Sequence, residues 1–415
     1  MAQADGGADL DAEIEDIFDR IKSVSRAFTP STPITDRDLF AGRQAQMRTL
    51  ILVEAQAGQH AVMYGMRGAG KTSLARVGQL IIDPNIRPYH VCHSGDTYAT
   101  IWRALLGAIS LTNTANGFGF NATQQVTQSS AAALLPTDNK DVTVQSVIDV
   151  LARLEAMGAR LTFVIDEFDR PKAPSVRTQI ADTVKILADR SMPMTLIMVG
   201  VADSIAELLG EHESIQRSIV QVEMPPMTDD ELRDVVTRGM QAARLTAEDQ
   251  FINEVVSLSQ GLPHYTHLLC LHAATHAVQQ RRDEVTHEDL NYALHQALEA
   301  ASQTVRERYH QSTFSNRETL YKLVLLACAM CPRDELGSFG GPDVRDQLRK
   351  ITGVNYEISS FATHLRDFSS DGPRGGILRR IGIKRRFRYQ FIDPLMPTYV
   401  LMQGLSSGID AVSVR

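Results

Sequence analysis

A nine-residue run in the first quarter of the chain has the composition of a phosphate-binding loop. The run is GMRGAGKTS, residues 65–73, and it fits the pattern G-x-x-x-x-G-K-[ST]. Glycines let the backbone wrap closely around phosphates, and amide N–H groups at a helix N-terminus supply partial positive charge. We expect Lys71 to reach the β and γ phosphates of ATP and the Thr72 hydroxyl to bind Mg²⁺. The residues predicted to contact the nucleotide here are Gly65, Gly68, Ala69, Gly70, Lys71, Thr72 and Ser73.

A second chemical signal is a strand that ends in two carboxylates. Residues 161–167 read LTFVIDE, a continuous apolar run followed by Asp166 and Glu167. We expect Asp166 to orient the Mg²⁺ ion or its water, and Glu167 to polarise the water that attacks the γ-phosphate. The pair of carboxylates therefore favours an ATPase that hydrolyses its nucleotide over a protein that only stores it.

The elements that must position these residues follow from the periodicity around them. HAVMY ends at the first glycine of the loop, and a helical pattern begins directly after Thr72, which is the strand, loop and helix order that the chemistry requires. Short apolar runs alternate with helical patterns between residues 38 and 225, so we predict an α/β domain with a parallel sheet covered by helices. The apolar runs are residues 60–65, 89–94, 161–166, 195–200 and 219–224.

Composition limits the class of protein. The chain has 415 residues, is 43% hydrophobic and 22% charged, and carries a formal net charge of −7, which is typical of a globular protein with several domains. The N-terminus is acidic, and no run of about 18 apolar residues occurs, so we predict a cytoplasmic protein that does not associate with membranes.

The four cysteines are too few for a disulfide framework in so long a chain. Cys92 lies between His90 and His93, which raises the question of a metal site. We expect strand alternation to separate Cys92 from both histidines, and we therefore predict no zinc site there.

These motifs resemble the AAA+ ATPases, particularly the branch of origin-recognition and replication-initiator ATPases and related bacterial ATP-binding proteins. The resemblance covers residues 36–410. LFAGR, residues 39–43, resembles a segment that lies near the adenine in this family, which implies a nucleotide contact for Arg43. The strand from residue 195 resembles the one that carries the sensor 1 polar residue, a place that Asp203 occupies here, with Ser204 as the alternative.

Two further segments resemble those that contact the γ-phosphate in proteins of this family. Arg217 follows a helical pattern in the place of an arginine finger, which in this family reaches the nucleotide of a neighbouring subunit. That implies a homo-oligomer or a complex with a partner ATPase; a solvated arginine at a helix end is the alternative. His264 occupies the sensor 2 position, where many relatives have arginine.

The chain divides into four predicted parts. They are an acidic helix with a linker at 1–35, a nucleotide-binding base domain at 36–225 with a polar insertion at 112–143, a helical lid at 226–305, and a winged helix-turn-helix domain at 311–410. The last part is predicted from its order of elements, three helices followed by a Gly-rich hairpin, which is found in the initiator-like branch. We expect the N-terminal helix to be short and to lie on the surface.

Positive charge is concentrated in the predicted hairpin. Residues 311–415 hold fifteen Arg and Lys against ten Asp and Glu, a net charge of +5 in an acidic chain. Alternation predicts that the apolar residues of odd number, from Ile381 to Phe391, face the core, unless a bulge in the turn shifts the register. Duplex DNA is the predicted partner. The residues predicted to contact it are Arg380, Lys384, Arg386 and Arg388 on the hairpin and Arg366 on the third helix.

Two functions fit this sequence. The first is an ATPase whose nucleotide state controls its assembly on DNA, as in initiators, helicase loaders or transposition regulators. The second is a signalling or defence ATPase whose winged domain binds a protein or the acidic surface of its own chain. The charge pattern favours the first, although basic hairpins occur in both.

Overall fold

The computed structural model describes residues 5–83, 85–115, 125–201, 213–315, 320–334, 337–382 and 387–409. The chain forms two compact units. One is Pro33–Pro225, and the other joins Met1–Thr32 to Pro226–Arg415. Among the described residues we find no helix with the length and apolar character that a bilayer span requires.

The unit Pro33–Pro225 is built on a five-stranded parallel sheet. Its strands are β1 (His60–Tyr64), β2 (Tyr89–Val91), β5 (Leu161–Asp166), β6 (Met194–Val199) and β7 (Ile219–Glu223). They are ordered β2-β5-β6-β1-β7, and every neighbouring pair is parallel. The polar insertion contains a separate antiparallel hairpin of β3 (Ser110–Ala115) and β4 (Gln125–Ser130). The predicted α/β fold class with a parallel sheet is therefore confirmed.

Helices cover both faces of this sheet. They are α2 (Gln44–Ala55), α3 (Lys71–Ile82), α4 (Tyr98–Gly107), α5 (Val144–Ala156) and α6 (Pro174–Asp189). In β1, Ala61 and Met63 belong to a core shared with α2 and α3, whereas Val62 belongs to a second core shared with α4, α5 and α6. Because successive side chains point to opposite faces and both faces are covered, these strands read as continuous apolar runs.

The second unit is mostly helical. Its helices are α1 (Asp5–Ala27), α7 (Asp229–Ala242), α8 (Asp249–Ser259), α9 (Pro263–Gln279), α10 (His287–Ala300), α11 (Gln303–Thr313), α12 (Tyr321–Met330), α13 (Gly341–Thr352), α14 (Ile358–Phe368) and α15 (Met396–Ser406). Its strands are β8 (Thr246–Ala247), β9 (Glu284–Val285), β10 (Phe339–Gly340), β11 (Leu378–Ile381) and β12 (Arg388–Phe391). One continuous cluster of buried apolar side chains runs through this unit.

The N-terminal helix differs from the prediction of a short surface helix. α1 has 23 residues and packs against α7 and α9. Its C-terminal end is buried through Val24, and the following Phe28 lies so close to Gly239 that a Cβ there would be 2.3 Å from the Phe28 ring. The prediction rested on the acidic residues and the amphipathic pattern of the segment, which show that one face of the helix is apolar but not what covers that face.

The C-terminal part has its elements in the predicted order. α12, α13 and α14 are followed by the hairpin of β11 and β12, and β10 pairs with β12 to complete an antiparallel sheet of order β10-β12-β11. The hydroxyl of Tyr265 on α9 donates a 2.8 Å hydrogen bond to the carbonyl of Leu395, next to the start of α15. The C-terminal part is thus tied to α9 within the same unit.

Candidate functional site

The loop after β1 has a backbone that only glycine adopts without strain. Gly65, Gly68 and Gly70 have φ angles of 142°, 82° and 88°. A Cβ at Gly65 would also lie 2.6 Å from the carbonyl oxygen of Met224. α3 begins directly after Gly70, so the loop leads into the N-terminus of a helix, where free amide N–H groups accumulate.

Lys71 is buried in this loop. Its Nζ atom donates hydrogen bonds of 2.8 Å to the carbonyl oxygens of Gly65 and Met66, and the residue is 8% exposed. Burial lowers the pKa of Lys71 to about 8, while the nearby carboxylates of Asp169 and Asp166 act in the opposite direction. The ammonium is thus held at the phosphate-binding loop by the loop's own backbone.

The Asp166 carboxylate at the end of β5 is fixed by two hydrogen bonds. Its Oδ2 accepts from the Tyr89 hydroxyl at 2.5 Å, and its Oδ1 accepts from the Glu167 amide at 2.8 Å. The residue is 2% exposed. Burial, followed by the Asp166 charge, raises the pKa of Tyr89, so this hydroxyl keeps its proton and remains a donor. A carboxylate held in this way still has lone pairs for a metal ion or its water.

Glu167 has an uncommon backbone conformation for a residue with a side chain. Its φ angle is 51°, in the left-handed region, and its Oε2 forms a 2.9 Å ion pair with Arg170 Nε. The Glu167 side chain is 41% exposed. Strained backbone of this kind is concentrated at functional sites, and here it turns the glutamate away from the direction of β5.

Sequence reasoning missed Asp169, which follows on the same turn. Its Oδ1 accepts a 2.9 Å hydrogen bond from the amide of Val201, and the amide of Phe168 donates to the carbonyl of Val199 at 2.8 Å. The acidic turn after β5 is therefore bound to the end of β6. The signal was present in the sequence, because Asp169 is the third acid of the run DEFD and also the carboxylate with the largest effect on the pKa of Lys71.

Arg43 supports the loop from within the protein. Its guanidinium Nη2 donates to the carbonyl oxygens of Ala69, at 3.2 Å, and Pro225, at 2.5 Å, and the residue is 2% exposed. These bonds give Arg43 a positioning role for the loop, and its predicted contact with adenine stays a prediction. The Ser73 hydroxyl also has a hydrogen-bond partner within the protein, because it accepts a 3.2 Å hydrogen bond from the amide of Ile34.

Of the three residues predicted to contact the γ-phosphate, the structure describes Arg217 and His264. Asp203 lies outside the described residues. Arg217 is exposed in a 3₁₀ turn at Glu213–Ser218, and its carbonyl accepts from Gln59 Nε2 at 3.4 Å. His264 belongs to the other unit, where its Nδ1 lies 2.9 Å from the carbonyl oxygen of Pro30.

The basic hairpin corrects the predicted alternation in one of its two strands. Tyr389 and Phe391 on β12 are buried as predicted, but Ile381 on β11 is 37% exposed. Six residues separate the partners Ile381 and Arg388, so an odd position on one strand faces an even position on the other. Arg380 therefore shares the face of Tyr389, its cross-strand partner, and the prediction of a shared odd-numbered core face is wrong for β11.

The predicted DNA-contacting cations have different surroundings. Arg388 Nε forms a 2.9 Å ion pair with Asp334, and Arg388 Nη2 donates to the carbonyl of Ser338 at 2.9 Å. These bonds make it an anchor of the hairpin. The Arg380 guanidinium lies 4.5 Å from the centroid of the Phe387 ring, and the Arg366 side chain on α14 is 66% exposed. Lys384 and Arg386 lie outside the described residues.

His90 on β2 and Cys92 directly after β2 contradict the expectation from alternation. One ring nitrogen of His90, Cys92 Sγ and one carboxylate oxygen of Asp96 all lie within 4.8 Å of one another. Residues two apart along an extended strand share a face, so alternation brings His90 and Cys92 together and separates His93 instead. The ground for predicting no zinc site is therefore wrong.

Comparisons with known proteins identify a family and a similar fold. The family model nSTAND1, described as Novel STAND NTPase 1, matches residues 27–335. The chain is also similar in structure to the Walker-type ATPase PABY2304 of Pyrococcus abyssi, with a TM-score of 0.51 and 17% identity, over 89% of this chain and 98% of that chain. At this identity the similarity shows the fold alone.

Two weaker similarities are to archaeal proteins. Cdc6p from Pyrobaculum aerophilum has a TM-score of 0.48 and 15% identity, over 94% of this chain and 99% of that chain. The Aeropyrum pernix ORC1 protein, solved in complex with DNA, has a TM-score of 0.44 and 16% identity, over 89% of this chain and 94% of that chain. Neither score supports a conclusion about function. No curated protein matches the chain.

Proposed function

This chain belongs to the Novel STAND NTPase 1 family. From that premise, and from a fold similar to that of a Walker-type ATPase, we propose that it is an AAA+ ATPase of the origin-recognition type that hydrolyses ATP and whose nucleotide state controls its assembly on duplex DNA. The observation that carries the proposal is the pairing of a buried, loop-held Lys71 with an Asp166 carboxylate that two hydrogen bonds keep in one orientation.

The loop residues supply the binding of the triphosphate. Amide N–H groups from Gly68 to Ser73 and the N-terminus of α3 face a ligand with partial positive charge, and Lys71 adds a full one. The carbonyls that now hold Lys71 leave its ammonium close to the loop, so a phosphate that arrives there meets a cation already in place.

Thr72 and Asp166 are the residues that would hold Mg²⁺. They fit this ion because they offer oxygen donors, and because the buried Asp166 carboxylate is oriented by Tyr89 and by its own turn. When bound, Mg²⁺ neutralises the charge that develops on the β and γ phosphates.

Glu167 would polarise the attacking water. Its side chain is partly exposed, so water reaches the carboxylate, and its position on the strained turn directly after Asp166 directs it to the same end of the sheet. Arg217 would complete the charge stabilisation in a neighbouring subunit, because its exposed position in the 3₁₀ turn lets it act in trans. We therefore propose a homo-oligomer or a complex with a partner ATPase.

The C-terminal part would supply the contact with DNA as a winged helix. Its support is the order of three helices and a hairpin, the local net charge of +5, and the exposure of Arg366 and Arg380. In this proposal Arg388 anchors the hairpin through Asp334, and the other cations contact phosphates.

One observation favours the alternative of a signalling or defence ATPase. Ile381 is exposed and lies on the same face of the hairpin as Arg379 and Arg388. An exposed apolar side chain among arginines is more typical of a protein interface than of a surface that contacts phosphates.

Duplex binding across a salt series tests the proposal with a charge-matched control. In the triple variant R380A/K384A/R386A, each lost phosphate contact should reduce the slope of log affinity against log salt concentration by about one. The control R48A/K140A/R153A removes the same charge from exposed positions of the other unit and should keep the wild-type slope. No duplex binding at low salt, or the same slope in both variants, contradicts the DNA proposal and favours a protein partner.

A further inference from the structure

Three different side chains that can bind metal lie close together at the C-terminal end of β2. The imidazole of His90, the thiol of Cys92 and the carboxylate of Asp96 lie within 4.8 Å of one another, and His90 Nε2 is 3.0 Å from Asp96 Oδ2. Their side chains are largely protected from solvent, at 15% exposure for His90 and 12% for Asp96, and Cys92 is fully buried. Fixed metal sites in proteins use donors that are sheltered in this way.

Two hydrogen bonds from neighbouring residues hold the Asp96 carboxylate in place. Asp96 Oδ2 accepts a hydrogen bond of 2.7 Å from the His93 amide, and Asp96 Oδ1 accepts from the Thr100 hydroxyl at 2.8 Å, in the first turn of α4. His90 and Cys92 are on one face of the strand segment, so the tight turn through residues 93–96 returns the chain to the same side. The donor atoms of His90, Cys92 and Asp96 therefore lie close together without a bound ion.

The charge around Cys92 favours a cation. The carboxylates of Asp96, Asp166, Asp169 and Glu167 all interact electrostatically with Cys92. Their negative charge would stabilise a divalent cation bound next to the Cys92 sulfur. The charges around the Cys92 sulfur therefore suit a bound cation.

We propose that His90, Cys92 and Asp96 form a binding site for one divalent cation of the Zn²⁺ class. Sulfur and imidazole donors select Zn²⁺ or Co²⁺ over Mg²⁺, which prefers oxygen, so this site is chemically separate from Thr72 and Asp166. Three protein ligands leave a fourth position open for water or another donor.

Binding of the cation releases one proton from the site. Cys92 Sγ releases its proton to solvent. The neutral His90 ring transfers its proton from Nε2, which donates to Asp96 Oδ2 at 3.0 Å, to Nδ1 by exchange with solvent, and Nε2 then presents its lone pair. Asp96 Oδ2 exchanges its contact with His90 for the metal. The amide of Cys92 donates a 2.8 Å hydrogen bond to the carbonyl of Asp166, so an ion here would stiffen the strand edge next to the carboxylate that we assign to Mg²⁺.

Titration of the full chain with Co²⁺ in the presence of excess Mg²⁺ tests this site. We expect one equivalent of Co²⁺ to bind with a thiolate-to-metal charge-transfer band, and Zn²⁺ to abolish the band by displacement. Cys92→Ala should remove the band, whereas Cys270→Ala, which changes another fully buried thiol, should keep it.

The histidines provide a second matched pair. His90→Ala should weaken Co²⁺ binding by more than the roughly 10- to 100-fold that loss of an outer partner costs, and His93→Ala should leave it unchanged. If Cys92→Ala does not fold by circular dichroism, Asp96→Asn and His90→Ala decide the question through Co²⁺ affinity. Absence of Co²⁺ binding, binding without the band, or a band that survives in Cys92→Ala would overturn the proposal.

Discussion

The Tyr89 hydroxyl on β2 donates a hydrogen bond to the Asp166 carboxylate on the neighbouring strand β5, with 2.5 Å between Oη and Oδ2. The Tyr89 ring is itself held by α3, where the guanidinium carbon of Arg76 lies 4.7 Å from the ring centroid. The helix that follows the phosphate-binding loop and the carboxylate assigned to Mg²⁺ are thus linked through one tyrosine.

Tyr89→Phe should weaken the use of Mg²⁺ without unfolding the protein. Removal of a group that orients a metal ligand typically costs about 10- to 100-fold in metal affinity or activity, so the Mg²⁺ concentration for half-maximal ATPase activity should rise by that order. Tyr98→Phe is the matched control, because the Tyr98 hydroxyl bonds Thr183 in the core of the same unit. An unchanged Mg²⁺ dependence in Tyr89→Phe would mean that the bond does not orient the metal ligand.

ATP affinity should fall as pH rises above about 8. Phosphates bind the protonated form of Lys71, whose pKa burial lowers to about 8, so affinity should decline by up to about tenfold per pH unit above that value. Asp169→Asn removes a charge that raises this pKa, so its decline should begin at lower pH, whereas the exposed Asp182→Asn should match the wild type. Binding of a fluorescent ATP analogue from about pH 7.5 to about 9.5 measures this, and flat affinity throughout contradicts it.

Several parts of this site follow from local sequence. β1 and β5 are buried on both faces, so each reads as an apolar run, and the glycines and Lys71 between β1 and α3 have fixed spacing. The clustering of His90 with Cys92 was also within reach, because alternation applied to positions two apart places them together.

Other features depend on which strands become neighbours, which local patterns do not encode. Tyr89 and Asp166 are 77 positions apart and meet only because β2 pairs with β5. The face of Ile381 depends on the number of residues in the hairpin turn, which alternation within one strand does not reveal. The burial of Phe28 depends on a glycine in α7 that is more than two hundred residues away.

The unit Pro33–Pro225 should lose stability in mild acid because of His60. This histidine is fully buried in β1, its Nδ1 accepts from the Leu196 amide at 3.1 Å, and burial lowers its pKa to about 4. The unfolded chain takes up a proton near pH 6.5, so the stabilisation is complete above about 6.5 and is lost as pH falls towards 4. The loss in the free energy of unfolding should be on the order of 3 kcal/mol.

Trp102 gives a specific readout of this effect. It is the only tryptophan of the chain and is buried in the core of the same unit, so its fluorescence during urea unfolding reports that unit. His60→Asn retains an acceptor for the Leu196 amide without titrating in this range and should flatten the pH dependence. His93→Asn, which changes an exposed histidine, should keep the pH dependence of the wild type. Equal pH slopes in the two variants would show that other groups cause the loss of stability in acid.

Sedimentation of Glu167→Gln with duplex DNA tests the central proposal most directly. This variant keeps the shape of the side chain but removes the charge that polarises water, so it should retain ATP, lose turnover and accumulate the ATP-bound state. We predict that Glu167→Gln with ATP and Mg²⁺ sediments on DNA as an assembly of several chains, and that ADP gives no such assembly. Identical sedimentation with ATP and ADP, or undiminished hydrolysis by Glu167→Gln, would contradict the account.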